Sequence, residues 1–337
     1  MSLKANGKLI IILDKKMKKD VIIHPIGGYF ELELPYGQEF HSKAIALNSG
    51  RFCFEYLLRC RKYKKVYIPY YTCDSVIEPI IKLGIDYELY NIDKEYRIIG
   101  DITLAEDETL LYTNYWGLQN EYCEVLTAHY GKQLILDYTQ AFFSNPIRGI
   151  DTFYSCRKYF GVPDGGYLYS DAVTDFEIEQ DESYLRLNSL VKRIDISPEA
   201  GYKDFHNFES TFHDMPIRRM SKLTKRLMQS IDYERVAQQR IDNYNTLRAS
   251  LGGRELKYGE VPMIFPYESA EGQELRKHLI SNKVFVAKYW PNVDEWTEEK
   301  TMERWMTNHI LPLPIDQRYD KEDMNRILNV IKHYANR

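Results

Sequence analysis

Asp137, Gln140, Ser155 and Lys158 fall within one stretch, QLILDYTQAFFSNPIRGIDTFYSCRKYFGVPDGGYLY over 133–169. Gln133 to Leu136 is an apolar run short enough for a buried strand, and it delivers Asp137 at its end. A second β-like run, Asp151–Ser155, leads into Cys156-Arg157-Lys158. The turn Gly161-Val162-Pro163-Asp164-Gly165-Gly166 follows, and Tyr167–Ser170 reads as a third strand. A carboxylate, an amide and a lysine are thereby expected at the ends of neighbouring strands, where open α/β sheets bind ligands. A lysine drawn into a pocket loses its charge readily and becomes a nucleophile. An isolated lysine beside an arginine is ordinarily a solvated charge, and an isolated Asp is often a strand-end cap. It is the ordered set within one strand–loop–strand unit that points to chemistry.

The order Asp-x-x-Gln, Ser, Lys and Gly-Gly resembles the DegT/DnrJ/StrS-type family of pyridoxal-phosphate (PLP) aminotransferases, whose members mostly aminate keto sugars attached to nucleotides. The resemblance implies that Lys158 carries the cofactor covalently, that Asp137 keeps the ring nitrogen protonated, that Gln140 touches the ring and that Ser155 bonds the phosphate. It extends to other segments. Asn48-Ser49-Gly50 interrupts an apolar run just before a helical pattern, and such a turn exposes N–H groups that favour an anion. The family commonly has Ser-Gly-Thr there; this chain has Arg51 in the third place, so Ser49, Gly50 and Arg51 are expected at the phosphate. Pro69-Tyr70-Tyr71-Thr72-Cys73 matches a family segment in which an aromatic stacks on the ring, but Cys73 holds that place. Tyr71 or Tyr115 is the substitute stacking partner on this reading. Arg218-Arg219-Met220-Ser221 matches a further segment, with Ile217 where the family has an Asn that reaches the neighbouring subunit's phosphate; either Arg218 takes over that contact or it is missing. Tyr115, Tyr289 and Trp290 are the expected substrate contacts, with a core role the alternative for the last pair.

Around these segments the chain reads as alternating strands and helices. Lys65–Ile68, Asp86–Tyr90 and Thr109–Tyr112 have strand patterns, and Asp74–Leu83 and Glu121–Tyr130 have helical ones, with Thr72 as a cap and Pro79 as a kink. Phe30–Leu34 alternates like an edge strand. Such alternation argues for an α/β protein with a largely parallel sheet covered on both faces, and the resemblance implies fold type I with a sheet of the seven-stranded type. Asp171–Tyr202 reads as charged and loop-rich, and a long amphipathic helix is expected through Leu223, Leu227 and Ile231. Val261–Tyr267, Gln273–Ser281, Val284–Ala287 and Asp320–His333 make a strand–helix–strand and a closing helix. The expected division is an N-terminal extension over 1–20, a large PLP-binding domain over 21–215, and a small domain with its connecting helix over 216–337.

Composition narrows the class. The 337 residues are 44% hydrophobic and 28% charged with net charge −4, which fits an ordinary soluble globular protein and gives no nucleic-acid footprint. Five cysteines without a Cys-x-x-Cys pair, and eight histidines without a metal-ligand spacing, argue against a disulfide framework and a zinc site. A reducing cytoplasm is expected, with no metal, and the five-residue apolar run Leu9–Leu13 is too short for a membrane span. The 28 tyrosines either furnish stacking and interface surfaces or fill half-buried positions. No Gly-x-Gly-x-x-Gly follows a strand, so a dinucleotide site has no support. The expected activity is amino transfer, with glutamate as donor, to a nucleotide-linked keto sugar in surface polysaccharide or amino-sugar biosynthesis. The resemblance implies a homodimer with shared sites. The alternatives are a PLP-fold aminotransferase for a non-sugar ketone and a catalytically silent sensor that keeps the fold. A sugar dehydratase is disfavoured because such relatives carry His in place of the lysine.

Overall fold

Short apolar runs, each flanked by turn residues, assemble into a seven-stranded sheet. The structure, a computed structural model, describes residues 26–213 and 215–336, so the expected extension over 1–20 lies outside the described residues. The chain divides into two units, residues 1–33 and 34–337. In the first, residues 26–33 form bends without a strand. The edge strand expected at Phe30–Leu34 is absent: Phe30 and Leu32 are exposed, and alternation yields a strand only where its apolar side finds a surface.

In the second unit the order is β1 (Ile45–Leu47), α1 (Gly50–Arg61), β2 (Lys65–Pro69), α2 (Ile77–Lys82), β3 (Asp86–Tyr90), β4 (Glu108–Thr113), α3 (Asn120–Tyr130), β5 (Leu134–Asp137), β6 (Asp151–Ser155) and β7 (Gly166–Tyr169). The strands lie in the order β1-β7-β6-β5-β4-β2-β3. All neighbours run parallel except β7, which is antiparallel to both β1 and β6. Side chains alternate between faces as the pleat requires. On β5, Leu134 and Leu136 enter one apolar cluster while Ile135 enters the other, with Phe54, Leu57 and Leu58 of α1. Both faces are therefore covered, which is why β5 reads as a continuous apolar run.

After β7 come α4 (Asn188–Asp195) and α5 (Pro198–Thr211), then α6 (Lys222–Gln229) and α7 (Tyr233–Leu251). The remainder is β8 (Phe265–Glu268), α8 (Gly272–Ser281), α9 (Val293–Trp296), α10 (Met302–His309), β9 (Ile310–Leu313) and α11 (Lys321–Ala335), with β8 and β9 paired antiparallel. Several boundaries differ from the sequence reading. The single helix expected through Ile231 is broken, because Asp232 turns its side chain to the Arg235 N–H and caps α7 afresh. Asp171–Tyr202 is not all loop: Ser197 caps α5 and Pro198 sits in its first turn, a start signal hidden by the surrounding charge. Thr72 does not cap a helix; Cys73 precedes a 3-10 turn, Asp74–Val76, which leads into α2. Val284–Ala287 finds no ladder partner and is not a strand, and Val261–Ile264 stays outside β8.

Many tyrosines are interior, and their hydroxyls donate to loop or strand carbonyls. Tyr90 reaches Leu111 O at 2.8 Å, Tyr112 reaches Tyr96 O at 2.7 Å, and Tyr154 reaches Ser144 O at 3.0 Å. Tyr115 bonds Tyr71 O at 2.8 Å and Tyr159 bonds Gln140 O at 2.7 Å. A buried phenol needs such a partner, since an unpaired hydroxyl would keep its full desolvation cost.

His41 is packed among Phe142, Tyr154, Tyr167 and Tyr169, with its Nε2 2.8 Å from Phe142 O and its Nδ1 3.2 Å from the Tyr169 hydroxyl. Burial pushes it down from 6.5 to about 4, against the pull of the carbonyl. The native state therefore binds this proton only below the pH at which the unfolded chain does. Stability from this group is present above about 6.5 and lost as pH falls toward 4, by an amount on the order of 3 kcal/mol. Urea unfolding at pH 7 and pH 5 should show about 2 kcal/mol of that loss, and His41→Gln should flatten it; an equal acid loss in the variant would place the effect elsewhere.

Candidate active site

The parallel strands bring their carboxyl ends to one edge of the sheet. β4 ends at Thr113, β5 at Asp137 and β6 at Ser155, with Thr113 opposite Asp137 in register. Asp137 is 4% exposed. One of its oxygens accepts the Thr139 N–H at 2.8 Å and the other accepts the Thr113 hydroxyl at 3.5 Å. Burial raises its carboxyl above the usual range; the charge of Lys158 and the bonds from Thr139 and Thr113 oppose the rise. Lys158 follows β6 in a turn, remains solvent-exposed, and its Nζ donates to Thr139 Oγ1 at 3.0 Å. Thr139 thus holds the acid with its backbone and the amine with its side chain. The sequence reading passed over it, although its place between Asp137 and Gln140 was the available signal.

The start of α1 lies against the same residues. Ser49 caps the helix, its Oγ accepting the Phe52 N–H at 3.4 Å. The Gly50 and Arg51 N–H groups have no hydrogen-bond partner among the described residues. A side chain on Gly50 would come 2.9 Å from Thr139 Cγ2 and 3.7 Å from Ser155 Cβ, so the helix start packs against both residues. Gly166 is tighter still: a Cβ there would stand 2.5 Å from the Ser49 carbonyl carbon and 2.7 Å from the Gly50 nitrogen. The Ser155 hydroxyl makes no hydrogen bond among the described residues. Free N–H groups at a helix start beside a free hydroxyl form an anion cradle.

The other expected residues have mixed placements. Cys73 lies close enough to Lys158 for the amine to oppose the upward push of burial on its thiol, and the sulfur is bonded within its own turn, to Asp74 at 3.3 Å and Ser75 at 3.2 Å. Tyr289 and Trp290 come to this edge. The Tyr289 hydroxyl is pushed up to about 12 by burial and, secondarily, by Cys73, while Trp290 packs edge-on against Tyr71 with ring centres 5.0 Å apart. Asn292 fastens that loop by donating to Thr72 O at 2.9 Å. Gln140 is buried, and its Oε1 accepts the Trp116 N–H at 3.0 Å, bracing the turn after β4. Tyr115 is a core residue and not a ligand contact: it is fully buried and stacked on Tyr96 at 4.9 Å. Tyr71 is equally enclosed, so neither ring offers a face for stacking. The Arg51 guanidinium meets Glu78 at 2.6 Å. Arg218 exchanges backbone and side-chain bonds with Asn48, and its guanidinium lies 3.5 Å from the buried Asp181 of the same chain. Among the described residues no cluster of side chains could hold a metal ion, and all five cysteines are free.

An exposed amine, a buried acid linked to it through Thr139 and free N–H groups alongside suit a ligand with a basic ring nitrogen and an anionic tail. No family model matches the sequence, and no curated protein matches it. Solved structures do. CalS13, a sugar aminotransferase from Micromonospora echinospora, superposes with a TM-score of 0.57 at 12% identity, covering 87% of each chain. A DegT DnrJ EryC1 StrS aminotransferase from Brucella abortus gives 0.58 at 15%, over 86% of this chain and 85% of that one. NtdA from Bacillus subtilis, solved with bound cofactor PMP, gives 0.60 at 14%, over 86% and 73%. These likenesses show that the chain has the fold of such aminotransferases, fold type I, and at this identity they speak for the fold alone.

A carboxyl held above its unfolded value weakens the fold as pH rises through that value, because the native state then loses a proton it bound more tightly. Asp137→Asn, which keeps the acceptor for Thr139, should leave the melting temperature at pH 7 equal to or above that of the parent; a fall of several degrees would contradict the assignment of burial as the dominant cause. Gly166→Ala should cost about 1–3 kcal/mol in denaturant unfolding through overpacking against Ser49 and Gly50, and parental stability in that variant would refute the close contact.

Proposed function

We propose that this chain is a PLP-dependent aminotransferase that moves an amino group, with glutamate as donor, onto a nucleotide-linked keto sugar. The observation that carries this reading is the Asp137–Thr139–Lys158 arrangement beside the open start of α1. PLP, when bound, supplies an electron sink for bonds at the amino-bearing carbon. In this reading the Gly50 and Arg51 N–H groups, capped by Ser49, and the Ser155 hydroxyl hold the phosphate. Asp137 holds a proton at the ring nitrogen; burial beside a cation suits an acid asked to keep a single close partner. Lys158, steadied by Thr139, takes up and returns a proton at the amino-bearing carbon as general base. Cys73 and Tyr289 wall the ring and substrate side. Gln140 acts by bracing the turn at Trp116, and Arg218 is assigned to its ion pair with Asp181 unless a second subunit draws it out.

The sugar acceptor is supported by the sugar aminotransferase among the structural neighbours and by the motif resemblance, and a role in surface polysaccharide or amino-sugar synthesis follows from it. The same reading makes residues 21–215 the cofactor domain and 216–337 the small domain, in a cytoplasmic homodimer.

The test is an absorption spectrum of the protein mixed with PLP, then with Lys158→Ala, then with glutamate added. A near-visible band in the parent, absent in the variant and diminished by glutamate, is the expected result. No band in the parent with excess PLP would turn the reading to a silent fold, and a band indifferent to glutamate would remove glutamate as donor.

A further inference from the structure

Arg51 stands in the second position of α1, so its backbone N–H belongs to the cradle and its side chain departs from the same turn. The guanidinium already has a charge partner: Nη1 lies 2.6 Å from Glu78 Oε2, close enough for an ion pair although not aligned as a hydrogen bond, with side-chain exposures of 16% and 26%. The other Glu78 oxygen lies 2.5 Å from His213 Nδ1. Burial lifts the Glu78 carboxyl above its ordinary range, with Arg51 and then His213 opposing and Asp74 adding to the rise. The carboxylate is therefore held in an unfavourable place by two partners.

His213 ends a strap. Helices α4 and α5 pack on one another, and contacts to Phe52 and Arg157 fasten them beside the site while an ion pair ties their far end elsewhere. Phe212 lies 6.2 Å from Phe52 of α1, ring centre to ring centre. The guanidinium of Arg157, the residue before Lys158, sits over the rings of Phe208 at 5.1 Å and Phe212 at 4.6 Å and pairs with Glu209. At the far end Glu199 pairs with Lys283 at 3.0 Å.

We propose that Glu78 is a resident anion for Arg51: it occupies the guanidinium that the cofactor phosphate would otherwise share, and through His213 it seats the strap over 184–213. The inference rests on the cofactor reading above. A dianionic phosphate at the start of α1 and the Glu78 carboxylate compete for one cation, and a guanidinium neutralised by a carboxylate attracts a second anion less. Glu78 thereby sets how tightly phosphate-bearing ligands load and reports that loading to the strap.

Fluorescence titration with PLP and with pyridoxal, which lacks the phosphate, separates the outcomes. Glu78→Gln should bind PLP several-fold more tightly than the parent with pyridoxal binding unchanged, and Glu78→Ala should repeat the result should the first variant fold poorly. His213→Ala should leave PLP binding unchanged. Trypsin cleavage after Arg193 and Lys203 on the strap should quicken in all three variants. A Glu78→Gln protein that binds PLP no tighter, or gains equally for pyridoxal, would overturn the inference, as would unaltered strap cleavage in both the Glu78 and His213 variants. Failure of the parent to bind PLP at all would instead remove the cofactor reading on which this one stands.

Discussion

At Gly166 the backbone of β7 runs so close to Ser49 and Gly50 that not even a methyl group fits between them. β7 is the one strand of the large sheet that runs against the others, inserted between β1 and β6. Because it begins where its neighbours end, the turn before it, the loop after β1 and the loop after β6 all meet at one edge. The free amides of α1, the Ser155 hydroxyl and the Lys158 amine depend on this meeting for their proximity. A larger residue at 166 would have to push the helix start away from the strand ends, and the cradle would lose one wall.

The end of β5 was legible because a strand buried on both faces is apolar throughout and Asp137 closes such a run, whereas β6 carries Asp151 and Thr152 and was read from its β-branched and aromatic residues. The Ser49 cap and the glycine after it were legible for a similarly local reason, since a helix start needs an acceptor for its free N–H groups. What the sequence hid was pairing across distance. Nothing near Arg51 announces that Glu78 will meet it, and nothing near Arg218 announces Asp181, because ion pairs between separate segments leave no local periodicity. Tyr115 misled for the opposite reason: an aromatic just after a strand looks like a ligand surface until the loop that covers it is known. The helix α5 was obscured by charge, its start marked only by Ser197 and Pro198.

The edge that carries the chemistry is also where distant parts of the chain are tied together. Asn292 reaches Thr72, the Glu303 carboxylate accepts the Ile92 N–H at 2.7 Å, and Met220 bonds back to Ala46. Two of these bonds reach segments beside site residues, Thr72 next to Cys73 and Ala46 on the strand that leads to Ser49. Polar bonds of this kind hold position more sharply than apolar contact alone, because a displaced partner leaves a buried donor or acceptor unsatisfied.

The tyrosines give the interior a second task. A phenylalanine would fill the same volume, but the phenol at Tyr115 also fixes the carbonyl of Tyr71, two residues before Cys73, and the phenol at Tyr159 fixes that of Gln140. Core packing and loop position are thereby written into the same side chains. Drift that preserved hydrophobic volume while dropping one oxygen atom would leave a sound scaffold with a blurred site.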